Sequence, residues 1–380
     1  MTIITHANDP LSHDGLVNIA VIGASGRIGR QLLTLVGTRG ERLRIVAVAS
    51  SRRAVIAREG VPAAAAGVRL AAGDTSGGAA FVEALLHLPR PLVIVDCTAS
   101  AEIAAHYPRW LGAGIDLVTP NKLGPSAQRP LRREIERACA FSGAHVRDSA
   151  TVGAQLPLLG TLRELHRAGD RIERFEAVLS GTLSYVLGCV QQGEALSAAV
   201  RDAVEEGYAE PHPAVDLSGE DAARKLVILL RAIGGDVELD DIARTPLVDA
   251  QLLHERDPAR LLSGLAATDE QWRVRFAVAQ ARRERWVYRA SFEGGRARVA
   301  PERVPLDHPL ARLAPCENAL ILHSAYYRAA PLTIAGPGAG VELTAAAVFA
   351  DLLAAARDAV LRHADSRNAV AEGFAEAVAA

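Results

Sequence analysis

Short apolar runs alternate with helical patterns along the first 150 residues. Helical spacing is found over 31–36 and 126–141, and the apolar runs are predicted strands, at 16–22, 43–49, 91–97, 117–119 and 144–147. Strands that are apolar on both faces are typical of a parallel sheet covered by helices on two sides. Residues 15–150 are therefore predicted to form an α/β domain with a Rossmann-type parallel sheet.

The pattern changes after residue 150. Three helices are predicted at 155–168, 182–192 and 196–207, and strands are predicted at 171–180, 272–278 and 284–292. This mixture indicates an α+β domain with a mostly antiparallel sheet over residues 151–335. A C-terminal segment, 336–365, begins with a glycine-rich stretch and continues into a predicted helix at about 344–362.

Composition narrows the class of protein. Hydrophobic residues make up 49% of the chain, charged residues 23%, and the net charge is −2, which is typical of a globular protein without a nucleic-acid partner. Four scattered cysteines without CxxC spacing indicate thiols in a reducing compartment rather than a zinc site or disulfide framework. Neither a signal peptide nor a membrane span is predicted. We therefore expect a soluble cytoplasmic protein.

A lysine in a predicted amphipathic helix is the first candidate for chemistry. The helix is predicted to start with Ser218 as its cap, and Asp221 and Lys225 share a stripe that is otherwise apolar. At the rim of a buried face this pair suits proton transfer. The alternative is a surface i,i+4 ion pair worth a few tenths of a kcal/mol.

The segment before this helix adds more carboxylates. Pro211 and Pro213 exclude a helix and predict a stiff, extended loop that carries Glu210 and Asp216. Together with Asp221 and Lys225, these side chains could hold an ammonium group and move a proton. They could equally form an ordinary acidic loop, and composition does not decide between the two.

A glycine-rich turn follows the first predicted strand. Glycines at such a turn allow a pyrophosphate to approach the N-terminus of the next helix. The turn predicts a dinucleotide site formed by Gly23, Ser25, Gly26, Arg27, Ile28 and Gly29. The alternative is a glycine-rich loop without a ligand.

The ends of the next strands refine this site. The second strand ends in Ser51, Arg52 and Arg53 without an acidic residue, which favours the 2′-phosphate of NADP over NAD. The alternative is that the arginines begin a solvated loop. The third strand is followed by Thr98, Ala99 and Ser100, and the fourth by Lys122, at the sheet edge where such folds bind ligands. A surface lysine is the alternative for Lys122.

Ordered segments along nearly the whole chain resemble homoserine dehydrogenase, both the form fused to aspartokinase and the short fungal form. The segments that carry the resemblance are VIVDCT (93–98), VTPNK (118–122), TVGA (151–154), LSGTLSY (179–185), EGYAEP (206–211), DLSG (216–219) with ARK (223–225), ENAL (317–320), and GAG (338–340) with TAA (344–346).

The resemblance implies an NAD(P)-dependent oxidoreductase that interconverts L-homoserine and L-aspartate 4-semialdehyde, in threonine and methionine biosynthesis. It implies acid/base roles for Lys225 and Lys122, which would meet across the crevice between the domains. Substrate binding would fall to Gly181, Thr182, Tyr208, Glu210, Asp216 and Asp221. Gly338 and Gly340 would close over the nicotinamide. The C-terminal helix would return to the nucleotide domain, and the second domain would form a homodimer.

Several residues depart from the family pattern. A monovalent cation such as Na⁺ would bind to backbone carbonyls of Val152, Ala154 and Leu156, yet Ser149 stands where the family often has an acid. Gln155 replaces a glycine and His212 an acid. These changes leave open a related amino-acid alcohol or aldehyde as substrate, or a non-catalytic NADP-binding sensor. A further alternative, dihydrodipicolinate reductase, has a similar glycine turn but is shorter and lacks the 210–225 segment.

Overall fold

The computed structural model describes residues 15–75, 78–209 and 212–379, without the side chains of 74, 75, 79 and 366–379. The chain divides into two compact units. The first unit contains the residues up to Thr151 and those from Val341 onward, and the second contains Val152–Gly340.

The first unit is an α/β sandwich, and its described residues form a seven-stranded sheet. The strands are β1 Val17–Ile22, β2 Leu43–Ala49, β3 Arg53–Val61, β4 Asp74–Thr75, β5 Leu92–Asp96, β6 Asp116–Val118 and β7 Val146–Arg147. The helices are α1 Arg27–Arg39, α2 Ala63–Ala71, α3 Gly78–Leu86, α4 Ala101–Ala104, α5 Tyr107–Gly112 and α6 Arg129–Ser142. The strand order is β4-β3-β2-β1-β5-β6-β7.

The central strands are parallel, and apolar side chains fill both of their faces. All residues of β1 and β5 are buried, and alternate side chains of β1 enter two separate hydrophobic clusters. Ile19 and Val21 belong to one cluster, while Ala20 and Ile22 belong to the other. A strand buried on both sides needs helices on both faces of the sheet. The predicted Rossmann-type fold class is confirmed.

The edge beyond β2 contains a strand that the sequence analysis did not predict, at the position where a solvated loop begun by Arg52 and Arg53 was the alternative to a cofactor site. Arg53 begins strand β3, which runs antiparallel to β2 and pairs with β4. The strand was missed because most of its residues are partly or fully exposed, so it lacks the apolar run that marked its neighbours. Antiparallel edge strands are common on otherwise parallel sheets.

The second unit combines helices with an antiparallel sheet. Its helices are α7 Leu158–Arg167, α8 Gly181–Gln191, α9 Leu196–Glu205, α10 Ala214–Leu217, α11 Glu220–Ala232, α12 Ala250–Leu253, α13 Pro258–Leu265 and α14 Asp269–Ala281. Its strands are β8 Ile172–Val178, β9 Ala243–Arg244, β10 Glu284–Glu293, β11 Arg296–Pro305, β12 Glu317–Ser324 and β13 Leu332–Pro337. In the described residues these six strands have the order β13-β12-β8-β10-β11-β9, antiparallel except for the β11–β9 pair.

The strand predicted at 272–278 is wrong, because this segment lies in α14. Polar and apolar residues alternate there as in a strand. The helix instead buries Trp272, Phe276 and Ala279, which are spaced by four and three residues, and leaves Val274 and Val278 exposed. Helical spacing of the large aromatic residues therefore determines the structure.

The start of the Lys225 helix also differs from the prediction. The N-cap of α11 is Gly219, whose φ of 73° is left-handed, and the helix begins at Glu220. The Ser218 hydroxyl nevertheless accepts from the Glu220 N–H at 3.1 Å. Tyr288 packs so closely on Gly219 that a Cβ atom there would overlap the phenol. Asp216 was predicted in an extended loop, but it lies in α10, one turn of helix after Pro213.

The last helix, α15 Val341–Ala379, belongs to the first unit. Val348, Leu352 and Ala355 are fully buried in the cluster that also contains β1 and α1 residues. Two carboxylates of this helix bind the end of the sheet. Asp351 accepts a hydrogen bond from the Ser149 N–H at 2.9 Å, and Asp358 pairs with Arg147.

Candidate active site

The glycine-rich turn between β1 and α1 is closely packed against the neighbouring strands. The N–H groups of Gly23 and Ala24 donate to the Ala49 carbonyl at 2.8 and 2.9 Å. A Cβ atom on Gly23, whose φ is 79°, would lie 2.9 Å from the Cys97 backbone, and one on Gly29 would overlap the Gly23 carbonyl. These positions therefore require glycine.

The N-terminus of α1 is open to a ligand. Its N-cap, Gly26, offers no side chain to the first N–H groups of the helix, and Ser25, Gly26 and Arg27 are exposed. Free N–H groups at the positive end of a helix dipole bind pyrophosphate. The predicted residues of this turn are thus brought together in a form that fits a dinucleotide.

A basic hollow of 760 Å³ lies beside the turn. Its lining includes Ser25, Arg30, Ser50, Arg52 and Arg53, and α2 forms much of its apolar wall. The Arg53 guanidinium donates to the Gly73 carbonyl at 2.9 Å, which holds it against the turn between α2 and β4. Hydroxyl groups and guanidinium groups around a cavity of this size match an adenosine 2′-phosphate. Ser51, also predicted, is exposed next to this lining.

The loops after β5 and β6 are tied together by a buried polar network around Asp96, which is fully buried. One carboxylate oxygen accepts from the Thr98 N–H at 2.8 Å, and the other accepts from the Tyr107 hydroxyl at 2.5 Å and the Asn121 amide at 3.0 Å. Burial first, and then the nearby Asp96 charge, raise the pKa of Tyr107 well above its usual range. Tyr107 therefore stays a donor at neutral pH.

Lys122 follows this network directly and is half-buried. Its carbonyl accepts from the N–H and the hydroxyl of Ser126, at 2.9 and 2.7 Å. The predicted Thr98, Ala99 and Ser100 lie in the neighbouring loop, and Ser100 caps α4 by accepting from the Ile103 N–H at 3.2 Å. Thr98 also lies close to Gly23, so the loop after β5 and the glycine turn are neighbours.

In the second unit, Lys225 is the centre of the predicted cluster. Its ammonium donates to the Asp221 carboxylate at 2.7 Å and to the Leu179 carbonyl at 2.8 Å. Only 13% of the Lys225 side chain is exposed. A solvated surface pair would leave the lysine largely exposed, so the pair lies at the rim of the core.

The start of α8 is close to this lysine, since its cap, Ser180, follows Leu179. The Thr182 hydroxyl donates to the Tyr208 carbonyl at 2.5 Å, and the Tyr208 ring, 48% exposed, stacks on Tyr185 with centroids 4.7 Å apart. The structure therefore brings Gly181, Thr182 and Tyr208 together. Asp216 lies on the short α10 just before the Lys225 helix, and Glu210 lies outside the described residues.

Asn318 links the Lys225 region to the glycine loop that follows β13. Its side chain is buried, and its amide lies 3.5 Å from the carbonyls of both Leu179 and Gly338. A Cβ atom on Gly338 would overlap Asn318. Gly340, the other predicted glycine of this loop, has a φ of 130°.

The predicted cation ligands lie in a tight, buried loop. Gly153 and Ala154 have φ values of 75° and 51°. The Leu156 carbonyl already accepts from the Leu158 N–H at 2.7 Å. Among the described residues, no group of three or more His, Cys, Asp or Glu side chains could hold a metal ion.

Sequence reasoning assigned no role to Asp96, Tyr107, Arg30 or Asn318. A charged residue ends the apolar strand β5, and Asn318 lies in the ENAL segment, so both positions carried a signal. Tyr107 and Arg30 lie inside helices with ordinary patterns. Only the folded structure brings them to the site.

Comparison with known proteins gives consistent matches. The family profile described as "Homoserine dehydrogenase" matches residues 157–353, and "Homoserine dehydrogenase, NAD binding domain" matches 25–147. The chain is 32% identical to homoserine dehydrogenase of Schizosaccharomyces pombe over 89% of this chain and 94% of that protein.

Two further matches extend the comparison. A Zea mays bifunctional aspartokinase/homoserine dehydrogenase is 41% identical over 69% of this chain, which spans only 29% of that protein's length. A hyperthermophilic archaeal homoserine dehydrogenase solved with NADPH has the same fold, with a TM-score of 0.70, 22% identity, and coverage of 91% of this chain and 98% of that one.

Proposed function

Because the chain belongs to the homoserine dehydrogenase family, we propose that it interconverts L-homoserine and L-aspartate 4-semialdehyde with NADP as cofactor. The predicted family and the NAD(P)-dependent oxidoreductase class are confirmed. The substrate pair and the residue roles are proposals that rest on the two sites described above. The reaction would serve threonine and methionine biosynthesis.

The geometry of Lys225 carries this proposal. An ammonium group has three N–H donors, and described residues accept two of them, at Asp221 and Leu179. We propose that the third faces the substrate oxygen. As an aldehyde is reduced, its oxygen gains negative charge, which a nearby ammonium stabilises and then protonates.

The rarity of lysine supports the same assignment. The chain has 42 lysine and arginine residues, and only Lys122 and Lys225 are lysine. Arginine keeps its proton in proteins, whereas a lysine ammonium can release one. Both lysines occur at the ends of predicted ligand-binding segments, which are positions where the release of a proton would be useful.

The other residues would bind and orient the ligands. Bound nicotinamide would supply the hydride to the aldehyde carbon or accept it from the alcohol. Lys122 would assist Lys225 from the cofactor side. Asp216, Asp221 and Glu210 would bind the substrate ammonium group, and Gly181, Thr182 and Tyr208 would line its pocket.

The cofactor proposal is NADP rather than NAD. The N-terminus of α1 fits the pyrophosphate, and the basic hollow fits the 2′-phosphate. The loop containing Gly338 and Gly340 would cover the nicotinamide. Backbone carbonyls of Val152, Ala154 and Leu156 would hold a monovalent cation such as Na⁺, although the bond from Leu158 occupies part of the Leu156 carbonyl.

The assembly and location are also proposals. A homodimer would use the face of the six-stranded sheet that carries the exposed Thr333 and Ala335. A cytoplasmic location is supported by the four free cysteines. Among the helices of the described residues, none has the length and apolar character needed to cross a bilayer.

A direct absorbance assay tests the function. Purified protein should reduce NADP⁺ with L-homoserine, followed by absorbance at the nicotinamide band, and close analogues should react more slowly. Lys225→Ala should lose turnover by roughly 10²–10⁴-fold while binding NADPH normally in a fluorescence titration. Full turnover in Lys225→Ala would remove the mechanism. NADPH binding without turnover of any analogue by the unmodified protein would indicate a sensor instead.

A further inference from the structure

Asp96 is a buried carboxylate that the proposed reaction does not use. It ends β5, is fully buried, and accepts hydrogen bonds from three neutral donors on three different segments. A carboxylate buried among neutral donors is costly unless each oxygen is well bonded. Asp96 therefore requires its three hydrogen-bond donors to be held in place, whereas an apolar residue at the end of the strand would not.

The bonds around Asp96 fix the backbone on both sides of Lys122. The Asn121 amide donates to Asp96 and also to the Ser100 carbonyl at 3.0 Å, while its N–H donates to the Thr119 hydroxyl at 2.9 Å. The Asn121 side-chain oxygen in turn accepts from the Leu123 N–H at 3.0 Å. Lys122 is thus flanked by Asn121 and Leu123, whose N–H groups both donate hydrogen bonds within this network.

The same carboxylate holds the loop that follows its own strand. The Thr98 N–H donates to Asp96 at 2.8 Å, and the Thr98 hydroxyl accepts from the Ser100 N–H at 3.2 Å. Tyr107 completes the support, because its hydroxyl also lies 3.1 Å from the Thr119 hydroxyl and its ring packs directly on Gly124. One buried group therefore orders both loops at this edge of the sheet.

We propose that Asp96 is a positioning residue for Lys122 and for the Thr98–Ser100 loop. Tyr107 and Asn121 transmit its effect, and Asp96 itself touches neither substrate nor cofactor. The inference rests on the proposed function only in giving Lys122 a part in the reaction.

Asp96→Asn is the direct test. An asparagine presents an NH₂ group where the second carboxylate oxygen accepts from the Asn121 amide, so two donors would face each other. Asp116→Asn is the matched control. Asp116 is also fully buried, but it lies at the start of β6, away from the loops that follow β5 and β6. There it accepts from the His145 N–H at 2.8 Å and pairs with Arg362.

The first readout does not need the substrate. Because the chain has two lysines, protein labelled with [6-¹³C]lysine gives two side-chain NMR signals, which Lys122→Arg and Lys225→Arg assign. In Asp96→Asn the Lys122 signal should shift or broaden while the Lys225 signal stays in place, and the NADPH Kd should rise roughly 10-fold. Asp116→Asn should change neither. An unmoved Lys122 signal and an unchanged Kd in folded Asp96→Asn would overturn the proposal.

The second readout uses turnover. Asp96→Asn should lower kcat by a factor that is roughly 10–100 times larger than the factor by which it raises KM for homoserine. In a Lys122→Ala background the same substitution should have almost no additional effect on kcat, because it acts through Lys122. Full additivity would contradict positioning. Should Asp96→Asn fail to fold, Tyr107→Phe removes one hydrogen bond of the network and should shift the same Lys122 signal by a smaller amount.

If the unmodified protein turns over no substrate, the proposed function fails and the NMR and Kd comparison still tests Asp96.

Discussion

Replacing Lys225 with methionine should decide whether the Asp221–Lys225 pair is a solvated ion pair or part of the core. Methionine preserves most of the apolar stem and removes the ammonium. The change deletes a charge-assisted hydrogen bond of 2.7 Å and a bond of 2.8 Å to the Leu179 carbonyl. We expect the free energy of unfolding of the second unit to fall.

The size of the fall follows from exposure. A hydrogen bond to a charged group contributes about 1.5–3 kcal/mol, and the Lys225 ammonium donates two such bonds. Asp221 is 28% exposed, so water can partly replace the ammonium, and the lower end of this range applies. The expected loss is about 2–3 kcal/mol, or roughly 5–10 °C in Tm for a unit of this size.

The assay is a double-mutant cycle in urea with Lys225→Met, Asp221→Asn and the double variant. The sum of the losses in free energy of unfolding of the two single variants should exceed the loss in the double variant by about 1–2 kcal/mol. Each single variant leaves one polar partner without its counterpart, which is costly. Arg273→Met is a control, since Arg273 forms a similar bonded pair with Glu270 at 2.6 Å with 70% of both side chains exposed, and it should lower the free energy of unfolding far less than Lys225→Met does. A coupling energy below about 0.5 kcal/mol between Lys225 and Asp221 would refute the reasoning.

Four further predictions concern other parts of the chain. Arg52→Ala should weaken NADPH binding roughly 10–100-fold and leave NADH binding unchanged by calorimetry, because only NADPH has the 2′-phosphate; equal losses for both cofactors would contradict the NADP assignment. A short amine-reactive cross-linker should join the chain's two lysines, identified by mass spectrometry, if they meet at one site, and bound NADP should suppress the product. Gly219→Ala should lower the free energy of unfolding by about 2 kcal/mol or more, since a Cβ atom there meets both a left-handed φ and the Tyr288 phenol; a stability change under about 0.5 kcal/mol would be incompatible with this packing. Burial and the Asp96 charge raise the pKa of Tyr107 in the folded state, so its contribution to stability is complete below about pH 10 and is lost as the pH rises further. The Tm of the unmodified protein should therefore exceed that of Tyr107→Phe by less in alkaline melts than at neutral pH. A Tm difference that does not change with pH would be evidence against the raised pKa.

Sequence patterns predicted the first unit best where strands are buried on both faces. The β1 and β5 runs are continuous in apolar residues, and the glycine turn follows from the space that a pyrophosphate needs. Strand β3 could not be predicted in this way, because an exposed edge strand is held by pairing with β2 rather than by a buried pattern.

The candidate site shows the same division. Lys225 and Asp221 could be found from one helix, because both partners lie four residues apart on the same stripe. Asn318 reaches Leu179 across 139 residues, and Asp96 reaches Asn121 across 25. Such contacts depend on the tertiary fold, so local spacing contains no information about them. The error at 272–278 has a different cause. Over seven residues the apolar positions fit both the two-residue period of a strand and the 3.6-residue period of a helix. The burial of the large aromatic side chains then determines that the segment is a helix.

The first unit is built from both ends of the chain, with α15 filling one wall of its core. A ribosome releases residues in order, so β1 waits for a partner that is synthesised more than 300 residues later. The apolar surface that Val348 and Leu352 will cover stays uncovered while the second unit is already complete and free to fold. The core of the first unit can therefore close only after α15 has been synthesised, and we expect a nascent chain to gain cofactor affinity only from that point.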